Sequence, residues 1–431
     1  MKKLIINPIN KINGIINLPG SKSISNRALL ISALINKEIK LYNILNCDDV
    51  KYMILSLIKI GIKIEKNNNE YIIKNSYFDI NLNNNIIKLF VGNSGTTMRF
   101  LTSMLSIKKC NIILDGDERM RKRPINDLVD SLREGGAIIK YLNEENFPPI
   151  NLKGGYKGGN INIKGDISSQ FLSSLLMISP FIKNNININI INNLVSKPYI
   201  DTTINMIKNI TNIDIINNNY NNFIINNKNK NFIYSNKYYI EGDASNASYF
   251  LSAGIIKGGI VRIYGINKNS IQGDIKFINI IKKIGGNIIL GENYIETYNN
   301  NNKLNNINED FNDIPDVAMT AVILSLFSNN KNFSTFKNIY NWRLKETNRL
   351  LAMKNELNKI GANVIIGKDF ISVKPPIKFK NAIIETYNDH RMAMCFSLIS
   401  LAGVKITILN PKCVNKTFPK YFKLLKSISY K

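Results

Sequence analysis

Hydrophobic and polar residues follow one another along this chain in a pattern that recurs at long intervals. In each copy an amphipathic helical run ends at glycine and continues into a short β-branched run, as in Leu357-Asn-Lys-Ile-Gly361-Ala-Asn-Val-Ile-Ile366. Glycine suits the left-handed residue that ends a helix, so each copy predicts a helix, a C-cap and a strand. The equivalent positions, at successive intervals of 74, 76, 74 and 76 residues, are Gly61, Gly135, Thr211, Gly285 and Gly361.

A second repeat lies out of phase with the first and consists of a small or polar lead-in that opens an apolar helix. Its clearest copies are Phe100-Leu-Thr-Ser, Phe171-Leu-Ser-Ser and Phe250-Leu-Ser-Ala. Three more begin at Ser21, Asp316 and His390, and a final helix, Tyr421 to Ile428, lies where a sixth copy of the first repeat would end. Together the repeats predict six units of roughly 75 residues, each with two helices and several strands.

Six such units divide naturally into two domains of three. The repeat is longer than that of open solenoids, so closed domains are predicted rather than an extended array. A chain of 431 residues also exceeds what one hydrophobic core usually supports. The predicted fold class is α/β (α+β) in two domains. Two Asn-rich stretches without periodicity, Asn217 to Asn227 and Asn299 to Asn306, are predicted to be loops.

Composition is that of a globular protein, with 44% hydrophobic and 20% charged residues. No apolar run is long enough to span a bilayer, and the segment Met1 to Pro8 lacks the length and cleavage site of a signal peptide. We therefore expect a cytoplasmic protein without membrane association. The cysteines are far apart and His390 is the single histidine, which predicts reduced thiols and no metal cluster. The cysteines are Cys47, Cys110, Cys395 and Cys413.

The formal net charge of +26 would ordinarily favour a nucleic acid or another polyanion as partner. The excess, however, is mostly lysine in a chain rich in isoleucine and asparagine, the residues that AT-rich codons encode. The lysines are scattered, and no aromatic-basic recognition motif or basic arm is present. We interpret the charge as a consequence of genome composition and expect no nucleic acid, with a basic nucleic-acid-binding protein as the alternative of a different class.

The polar lead-ins of the second repeat carry side chains that suit a small polyanion. Free N–H groups and the positive end of the helix dipole favour anions at a helix start, and lysine and arginine add donors. Gly20-Ser-Lys-Ser-Ile-Ser-Asn-Arg27 shows this best, and Ser21 between Gly20 and Lys22 excludes a Walker A motif. If the helix starts converge, they line a cleft with Lys22, Ser23, Arg27, Asn93, Gly95, Ser168, Ser169, Gln170, Asp316, His390 and Arg391.

Two carboxylates stand among these cations and are candidates for a general base and a general acid. Asp316 follows Pro315 at a helix start, and Glu346 lies beside Lys345. Such a pair can move protons to and from a substrate if the surroundings separate the two pKa values. A helix cap for Asp316 and a surface ion pair for Glu346 are the structural alternatives.

An ordered set of motifs resembles the family of 5-enolpyruvylshikimate-3-phosphate synthases along essentially the whole chain. The motifs are Leu18-Pro-Gly-Ser-Lys-Ser-Ile-Ser-Asn-Arg27, Gly92-Asn-Ser-Gly-Thr96, Arg119-Met-Arg-Lys-Arg-Pro124, Val195-Ser-Lys-Pro-Tyr-Ile-Asp201, Glu241-Gly-Asp-Ala-Ser245, Asn338-Ile-Tyr-Asn-Trp-Arg-Leu-Lys-Glu-Thr-Asn-Arg349, Tyr387-Asn-Asp-His-Arg-Met-Ala-Met394 and Lys412 to Pro419. The resemblance implies two domains of three βαβαββ units each, in an enolpyruvyl-transferase-like inside-out barrel or prism.

The resemblance also implies how the domains divide the chain and the work. Residues 1–20 and 240–431 would form a discontinuous domain that carries the acid, the base and phosphoenolpyruvate-binding residues. Residues 21–239 would form an inserted domain that binds shikimate 3-phosphate. The active site would lie in the cleft between the two domains.

The activity that the resemblance implies is that of a 3-phosphoshikimate 1-carboxyvinyltransferase, in the shikimate pathway to chorismate and aromatic amino acids. The enolpyruvyl group of phosphoenolpyruvate moves to the 5-hydroxyl of shikimate 3-phosphate through a tetrahedral intermediate, and phosphate leaves. No metal or organic cofactor is implied, and we expect a monomer. The alternatives are a UDP-N-acetylglucosamine enolpyruvyl transferase, whose acid is a cysteine in a mobile loop, and a binding protein that has lost catalysis.

Matching motif positions imply which residues contact each substrate. Shikimate 3-phosphate would be held by Lys22, Ser23, Arg27, Ser168, Ser169, Gln170, Ser196, Tyr199, Asp316, Asn341 and Lys345. Phosphoenolpyruvate would be held by Lys22, Asn93, Gly95, Arg123, Gln170, Arg349, Arg391 and Lys416. As catalytic residues, Asp316 would take the hydroxyl proton, and Glu346, helped by Lys22, would protonate the methylene carbon. His390 would orient its neighbours.

The chain departs from the family pattern at two positions. Phe100 stands where many bacterial members have proline, beside the Gly95-Thr96 turn, so we expect altered phosphoenolpyruvate affinity and glyphosate sensitivity. Asn348 replaces the usual aspartate before Arg349, which predicts weaker positioning of that guanidinium without loss of activity.

Overall fold

The computed structural model describes residues 2–82, 86–227, 233–299, 303–330 and 332–430. The chain divides into two compact units, each described by itself below. The split unit comprises Met1–Pro19 and Glu241–Lys431, and the inserted unit comprises Gly20–Ile240. Helices and strands are mixed throughout both units, which confirms the predicted α/β class.

The α-helices within the described residues share a regular spacing along the chain. They are α1 Lys22–Leu34, α2 Asp48–Lys59, α3 Gly95–Ser106, α4 Asn126–Glu134, α5 Ser169–Ile178, α6 Lys197–Thr211, α7 Ala244–Lys257, α8 Phe277–Ile284, α9 Ala318–Ser325, α10 Arg349–Lys359, α11 His390–Ser397 and α12 Tyr421–Ser427. Odd-numbered helices follow the polar lead-ins, and even-numbered helices from α2 to α10 precede the glycine or asparagine caps. The structure therefore contains both predicted repeats.

The strands of the described residues are short, and most have four residues. They are β1 Lys3–Ile6, β2 Lys11–Ile12, β3 Gly14–Asn17, β4 Ile39–Tyr42, β5 Ile64–Asn67, β6 Glu70–Ile73, β7 Ile87–Phe90, β8 Ile112–Asp115, β9 Ile138–Tyr141, β10 Ile150–Gly154, β11 Gly159–Lys164, β12 Ile186–Ile191, β13 Ile216–Asn218, β14 Asn222–Ile225, β15 Lys237–Tyr239, β16 Val261–Tyr264, β17 Asn287–Leu290, β18 Tyr294–Tyr298, β19 Asn308–Asp310, β20 Ser334–Lys337, β21 Asn363–Ile366, β22 Ile371–Lys374, β23 Ala382–Ile384, β24 Ile406–Leu409 and β25 Ser429–Tyr430.

The inserted unit contains three sheets with the same topology. Their strand orders are β15-β4-β6-β5, β7-β8-β10-β9 and β11-β12-β14-β13. In each sheet the first two strands are parallel and the last two form an antiparallel hairpin. The second sheet, for example, is built from β7, α3, β8, α4, β9 and β10 in chain order, which is one βαβαββ unit.

The split unit repeats this topology with strands from both ends of the chain. Two of its sheets have the orders β3-β16-β18-β17 and β19-β20-β22-β21. The third has the order β23-β24-β1, so a strand from the start of the chain pairs with one near residue 408. A short pair of β2 with β25 accompanies it.

Left-handed residues follow α2, α4, α6, α8 and α10, as the first repeat predicts. Gly361 follows α10 with φ 94°, and Gly285 follows α8 with φ 95°. In two copies the left-handed residue comes one position later than the repeat suggests. It is Gly136 after α4, with φ 97°, and Asn212 after α6, with φ 56°, because Thr211 is still helical.

The odd-numbered helices form the interior of each unit. Helix α3 is buried along its whole length, and it packs against α1 and α5. Equivalent residues of successive repeats meet there, since Ser103 Oγ lies 2.8 Å from Ser174 Oγ. In the split unit Ser248 Oγ and Thr320 Oγ1 are likewise 3.0 Å apart. Hydroxyls that hydrogen-bond one another allow these polar residues to be buried at the helix contacts.

One Asn-rich stretch differs from its prediction as a loop. Residues 217–227 contain most of a β-hairpin, because Phe223 and Ile225 alternate into the core while Asn222 and Ile224 are less buried. The Asn222 side-chain amide also donates to Asn189 Oδ1 at 2.8 Å on the neighbouring strand. In the second stretch, residues 303–306 have no regular secondary structure, as predicted, and 300–302 lie outside the described residues.

The two ends of the inserted unit are joined by a close approach at Gly20. A Cβ atom at this position would collide with the carbonyl oxygen of Asn43, so only glycine fits. The Asn43 side chain in turn donates to the carbonyl of Ile240 at 2.8 Å. Asn43 therefore fixes both the first and the last residue of the unit. Within the described residues, no helix has the length and apolar character needed to cross a membrane.

Candidate active site

The N-terminus of α1 presents two cations in different surroundings. Ser21 caps the helix by accepting a hydrogen bond from the Ile24 N–H at 3.5 Å. Lys22 begins the helix, and its Nζ lies 3.3 Å from Oδ2 of Asp49, which is buried at the start of α2. The charge of Lys22 is therefore balanced inside the inserted unit.

Arg27, one and a half turns further along α1, is only 2% exposed and is surrounded by neutral groups. Its Nε donates to Thr203 Oγ1 at 2.7 Å, and Nη2 donates to Ser173 Oγ at 3.2 Å. Carbonyl oxygens of Ser23 and Tyr199 accept at 3.1 and 3.5 Å. No carboxylate of the described residues pairs with it. Burial accordingly lowers the pKa of Arg27 to about 10.

A second group of cations surrounds the start of α3. Arg123 Nη1 donates to Asn93 Oδ1 at 3.2 Å, and Arg99 Nη1 donates to Gln170 Oε1 at 2.8 Å. Gly95 lies against both guanidinium groups, since a Cβ there would collide with Arg99 and come within 2.7 Å of Arg123 Nη2. The missing side chain leaves the helix N-terminus accessible to these arginines and to an anion.

The remaining predicted residues of the inserted unit lie at two further helix starts. Ser168 caps α5 by accepting from the Gln170 N–H at 3.3 Å, and Ser169 is buried in the first turn. Ser196 precedes α6 in a left-handed conformation with φ 58°, and Tyr199 lies in the first turn. The hydrogen bond from Arg27 to the Tyr199 carbonyl connects α1 with the start of α6.

In the split unit, Asp316 is the centre of a cluster of cations. Its Oδ2 lies 2.9 Å from Arg391 Nη2, and its Oδ1 lies 3.5 Å from Arg349 Nη1 and 3.6 Å from Lys345 Nζ. Asp316 directly precedes Val317, which is the N-cap residue of α9. The carboxylate is 23% exposed, so a ligand can reach it.

Arg349 is 1% exposed and connects this cluster to two more carboxylates. Its Nε donates to Asp389 Oδ2 at 2.8 Å, and its Nη2 donates to Glu346 Oε2 at 2.9 Å. Burial by itself would lower the pKa of Arg349, but Asp389, Glu346 and Asp316 outweigh it and raise the pKa above its usual value. Lys416 Nζ lies 3.8 Å from the other oxygen of Glu346.

Asn348, the departure before Arg349, lies at the start of α10. Its side chain caps this helix by accepting from the Leu351 N–H at 3.4 Å. The Arg349 guanidinium is held by Asp389 and Glu346. Weaker positioning of Arg349 than with aspartate at 348 stays a prediction, and local sequence does not reveal the partner at Asp389, which comes from another element.

Asn341 and His390 are two further predicted site residues of the split unit. Asn341 lies in the short turn Tyr340–Leu344 and is 6% exposed, and its Oδ1 has no hydrogen-bond partner in the described residues. Such a buried oxygen is expected to meet a donor, which a ligand hydroxyl can supply. His390 begins α11, and its Nδ1 lies 3.6 Å from Oδ1 of Asp389. This contact places it beside Asp389 rather than beside Asp316.

The structure adds residues that sequence reasoning missed. Arg99 and Asp49 belong to the cation groups of the inserted unit, and Asp389 holds Arg349. Tyr249 is fully buried, and its phenol oxygen accepts from Arg391 Nη1 at 3.2 Å. The sequence repeat could have identified Arg99 and Tyr249, because each directly precedes the phenylalanine of a repeat copy.

The cysteines lie away from solvent. All four thiols are free and buried, and burial raises the pKa of Cys110, Cys395 and Cys413 to about 12. A thiol with so high a pKa stays protonated near neutral pH, so a thiolate nucleophile at Cys413 is disfavoured. Among the described residues, no group of three or more His, Cys, Asp and Glu side chains is placed to share a metal ion.

Fold and side chains together define a class of α/β proteins built from βαβαββ repeats, in which arginines and carboxylates suited to small anions lie at or near the starts of helices. The family model described as EPSP synthase (3-phosphoshikimate 1-carboxyvinyltransferase) matches residues 6–425 of this chain. The chain belongs to the EPSP synthase family.

Relatives agree along nearly the whole chain. The 3-phosphoshikimate 1-carboxyvinyltransferase of Buchnera aphidicola subsp. Cinara cedri is 53% identical, covering 99% of this chain and 97% of that protein. The protein of the same name from Escherichia coli strain SMS-3-5 is 47% identical, covering 100% and 99%. A solved EPSP synthase from Acinetobacter baumannii has the same fold, with a TM-score of 0.80 at 23% identity over 100% of this chain and 98% of that one.

Proposed function

We propose that this protein transfers the enolpyruvyl group of phosphoenolpyruvate to the 5-hydroxyl of shikimate 3-phosphate and releases phosphate, on the route to chorismate and aromatic amino acids. Membership of the family supports this reaction, as do relatives of that name at about half identity over their full length. From the geometry, the observation that carries it is the pair of carboxylates, Asp316 and Glu346, both bonded to Arg349.

Both cation groups serve this one reaction. Shikimate 3-phosphate takes most of its contacts from the inserted unit, where Arg27 offers a charge that no carboxylate neutralises. Phosphoenolpyruvate is held by arginines and lysines of both units, including Arg123 and Arg391. Guanidinium groups suit phosphate and carboxylate because their N–H groups bind two oxygens at once.

Proton transfer follows from the two carboxylates. Glu346, protonated and assisted by Lys22, gives a proton to the methylene carbon of phosphoenolpyruvate, which leaves positive charge on the central carbon. The 5-hydroxyl oxygen attacks that carbon while Asp316 takes the hydroxyl proton, and a tetrahedral adduct results. The adduct then loses phosphate and one methyl proton, which restores the double bond. Surrounding cations position the reactants and stabilise the departing phosphate.

The test is substitution of each carboxylate. Asp316→Ala and Glu346→Gln should each lower kcat on the order of 10²- to 10⁴-fold, because general acid–base catalysis contributes about that much. Calorimetry should still detect shikimate 3-phosphate binding. Asp313→Ala and Glu309→Gln are matched controls, because these carboxylates pair with Lys276 and Lys283 outside the cluster. Near-normal turnover of either active-site variant would remove that residue from the mechanism.

The basic charge supports one other function, the binding of nucleic acid. A shift assay over a range of salt concentrations separates the two, because phosphate contacts give a steep salt dependence. Phosphate release that needs both phosphoenolpyruvate and shikimate 3-phosphate identifies the enzyme. We also propose that the protein acts as a monomer, which sedimentation velocity tests directly.

A further inference from the structure

Phe100, in α3, covers one face of the Arg27 guanidinium. The Arg27 Cζ lies 5.3 Å from the centroid of the Phe100 ring, and both side chains are buried. This distance is within the range at which an aromatic ring attracts a cation. The contact joins α3 to α1 at the residue expected to bind shikimate 3-phosphate.

The edges of the same guanidinium are almost fully occupied. An arginine has five N–H donors, and four hydrogen bonds from Arg27 are present, one from Nε, one from Nη1 and two from Nη2. One N–H of Nη1 therefore has no partner in the described residues. With one face covered by Phe100, an incoming anion can approach this charge from few directions.

The repeat supplies a second copy of this arrangement and a copy without it. Arg99 lies over the ring of Phe171, with Cζ 5.2 Å from the centroid. Phe250 occupies the same repeat position in the split unit, but its ring neighbours are Phe418 and Tyr421. The aromatic residue is therefore a packing feature of all three helices, and among these three phenylalanines of the described residues the two in the inserted unit also contact an arginine.

We propose that Phe100 is a positioning residue for shikimate 3-phosphate, which acts by fixing Arg27 and the direction of its remaining N–H. This inference rests on the proposed function and refines it. It also differs from the expectation from the sequence, which was that phenylalanine at position 100 alters the affinity for phosphoenolpyruvate. The lowered pKa of Arg27 agrees with a charge whose stabilisation comes from neutral groups and a ring.

Loss of the ring should act on one substrate. Phe100→Leu should raise the KM for shikimate 3-phosphate about 2- to 30-fold, the range that cation–π attraction allows, and leave the KM for phosphoenolpyruvate within about twofold. Phe250→Leu is the matched control, because it removes an equally buried ring with no arginine beneath it. If Phe100→Leu raises the KM for phosphoenolpyruvate instead, or if both variants change the two KM values alike, the inference is overturned.

Fluorinated rings separate attraction from packing, since they keep nearly the same shape. We expect calorimetric Kd values for shikimate 3-phosphate to rise in order through Phe100→4-fluorophenylalanine and Phe100→3,4,5-trifluorophenylalanine, because fluorine withdraws charge from the ring face. Unchanged Kd values overturn the inference. The variant Arg27→Lys tests the proposed function separately from the role of Phe100. Unaltered binding of shikimate 3-phosphate by this variant would refute the role of Arg27 itself, whatever the Phe100 variants show.

Discussion

Arg27 and Arg349 are the same residue type at nearly the same burial, 2% and 1% exposed, but their surroundings are opposite. Hydroxyls, carbonyls and a phenyl ring surround Arg27, and its pKa is lowered. Three carboxylates surround Arg349, and its pKa is raised. Burial alone therefore does not determine how a cation behaves in this protein.

The difference shows two uses of a buried charge. Around Arg349 the charge is already balanced, so it fixes Asp316 and Glu346 in place. The charge of Arg27 is not balanced by any carboxylate of the described residues, so an anionic ligand gains the full attraction of a poorly hydrated cation. Under the proposed function, Arg349 organises the catalytic groups and Arg27 is available to a substrate.

Removing the charge of each arginine in turn should give the largest difference between the two. Arg349→Met should lower the free energy of unfolding by about 3–5 kcal/mol, because buried Asp389 loses its partner. Arg27→Met should cost only about 1 kcal/mol, because Thr203 and Ser173 can bond each other at 3.1 Å. Urea unfolding, with hydrogen exchange to separate the units, measures both.

The double variant Arg349→Met with Asp389→Asn is the control for that prediction. It should recover part of the lost stability, because no unpaired charge then remains in the core. Equal losses for the two single variants would show that the surroundings of the arginines do not matter, and the comparison would fail.

Substitution of Tyr249, in the split unit, is expected to have an effect of intermediate size. Tyr249→Phe removes the acceptor for Arg391 Nη1, so the KM for phosphoenolpyruvate should rise about fivefold to tenfold while kcat changes less. Tyr421→Phe is the matched control, because that phenol is also buried but bonds Ser397 and the Met394 carbonyl. The same KM shift in both variants would argue for a general packing effect.

The smallest expected effect is a pH dependence of binding. Free Arg27 loses its proton as the pH passes about 10, whereas a bound anion raises its pKa. Shikimate 3-phosphate binding should therefore take up protons near pH 10 and weaken above it. Arg349, with its raised pKa, should not contribute. Calorimetry in two buffers of different ionisation enthalpy measures the uptake, and Arg27→Gln should show less of it. Equal uptake would contradict the assignment.

Much of the fold could be predicted because its signals are local. A left-handed residue follows each helix of the first repeat, from α2 to α10, and most inner helices carry a serine or aspartate cap. The hairpin within residues 217–227 escaped prediction because asparagine has low strand propensity and masked the alternation of Phe223 and Ile225.

Site residues with recognisable motifs were found, but their partners were not. Asp389 is 40 positions from Arg349, and Thr203 is 176 positions from Arg27. The sequence places Phe100 near Gly95 and does not reveal that helix packing brings its ring against Arg27. Such pairings depend on how helices pack, which no short stretch of sequence specifies.

The pairing of β1 with β24 also sets an order of events during synthesis. Leu4 faces Ile408 across this sheet, and Ile15 of β3 faces Arg262 of β16. Every strand of the inserted unit is synthesised before the first of these partners is made. The inserted unit can therefore fold while translation continues, whereas β1 waits for nearly the whole chain. A nascent chain of 240 residues contains one unit complete and the other without most of its sheets.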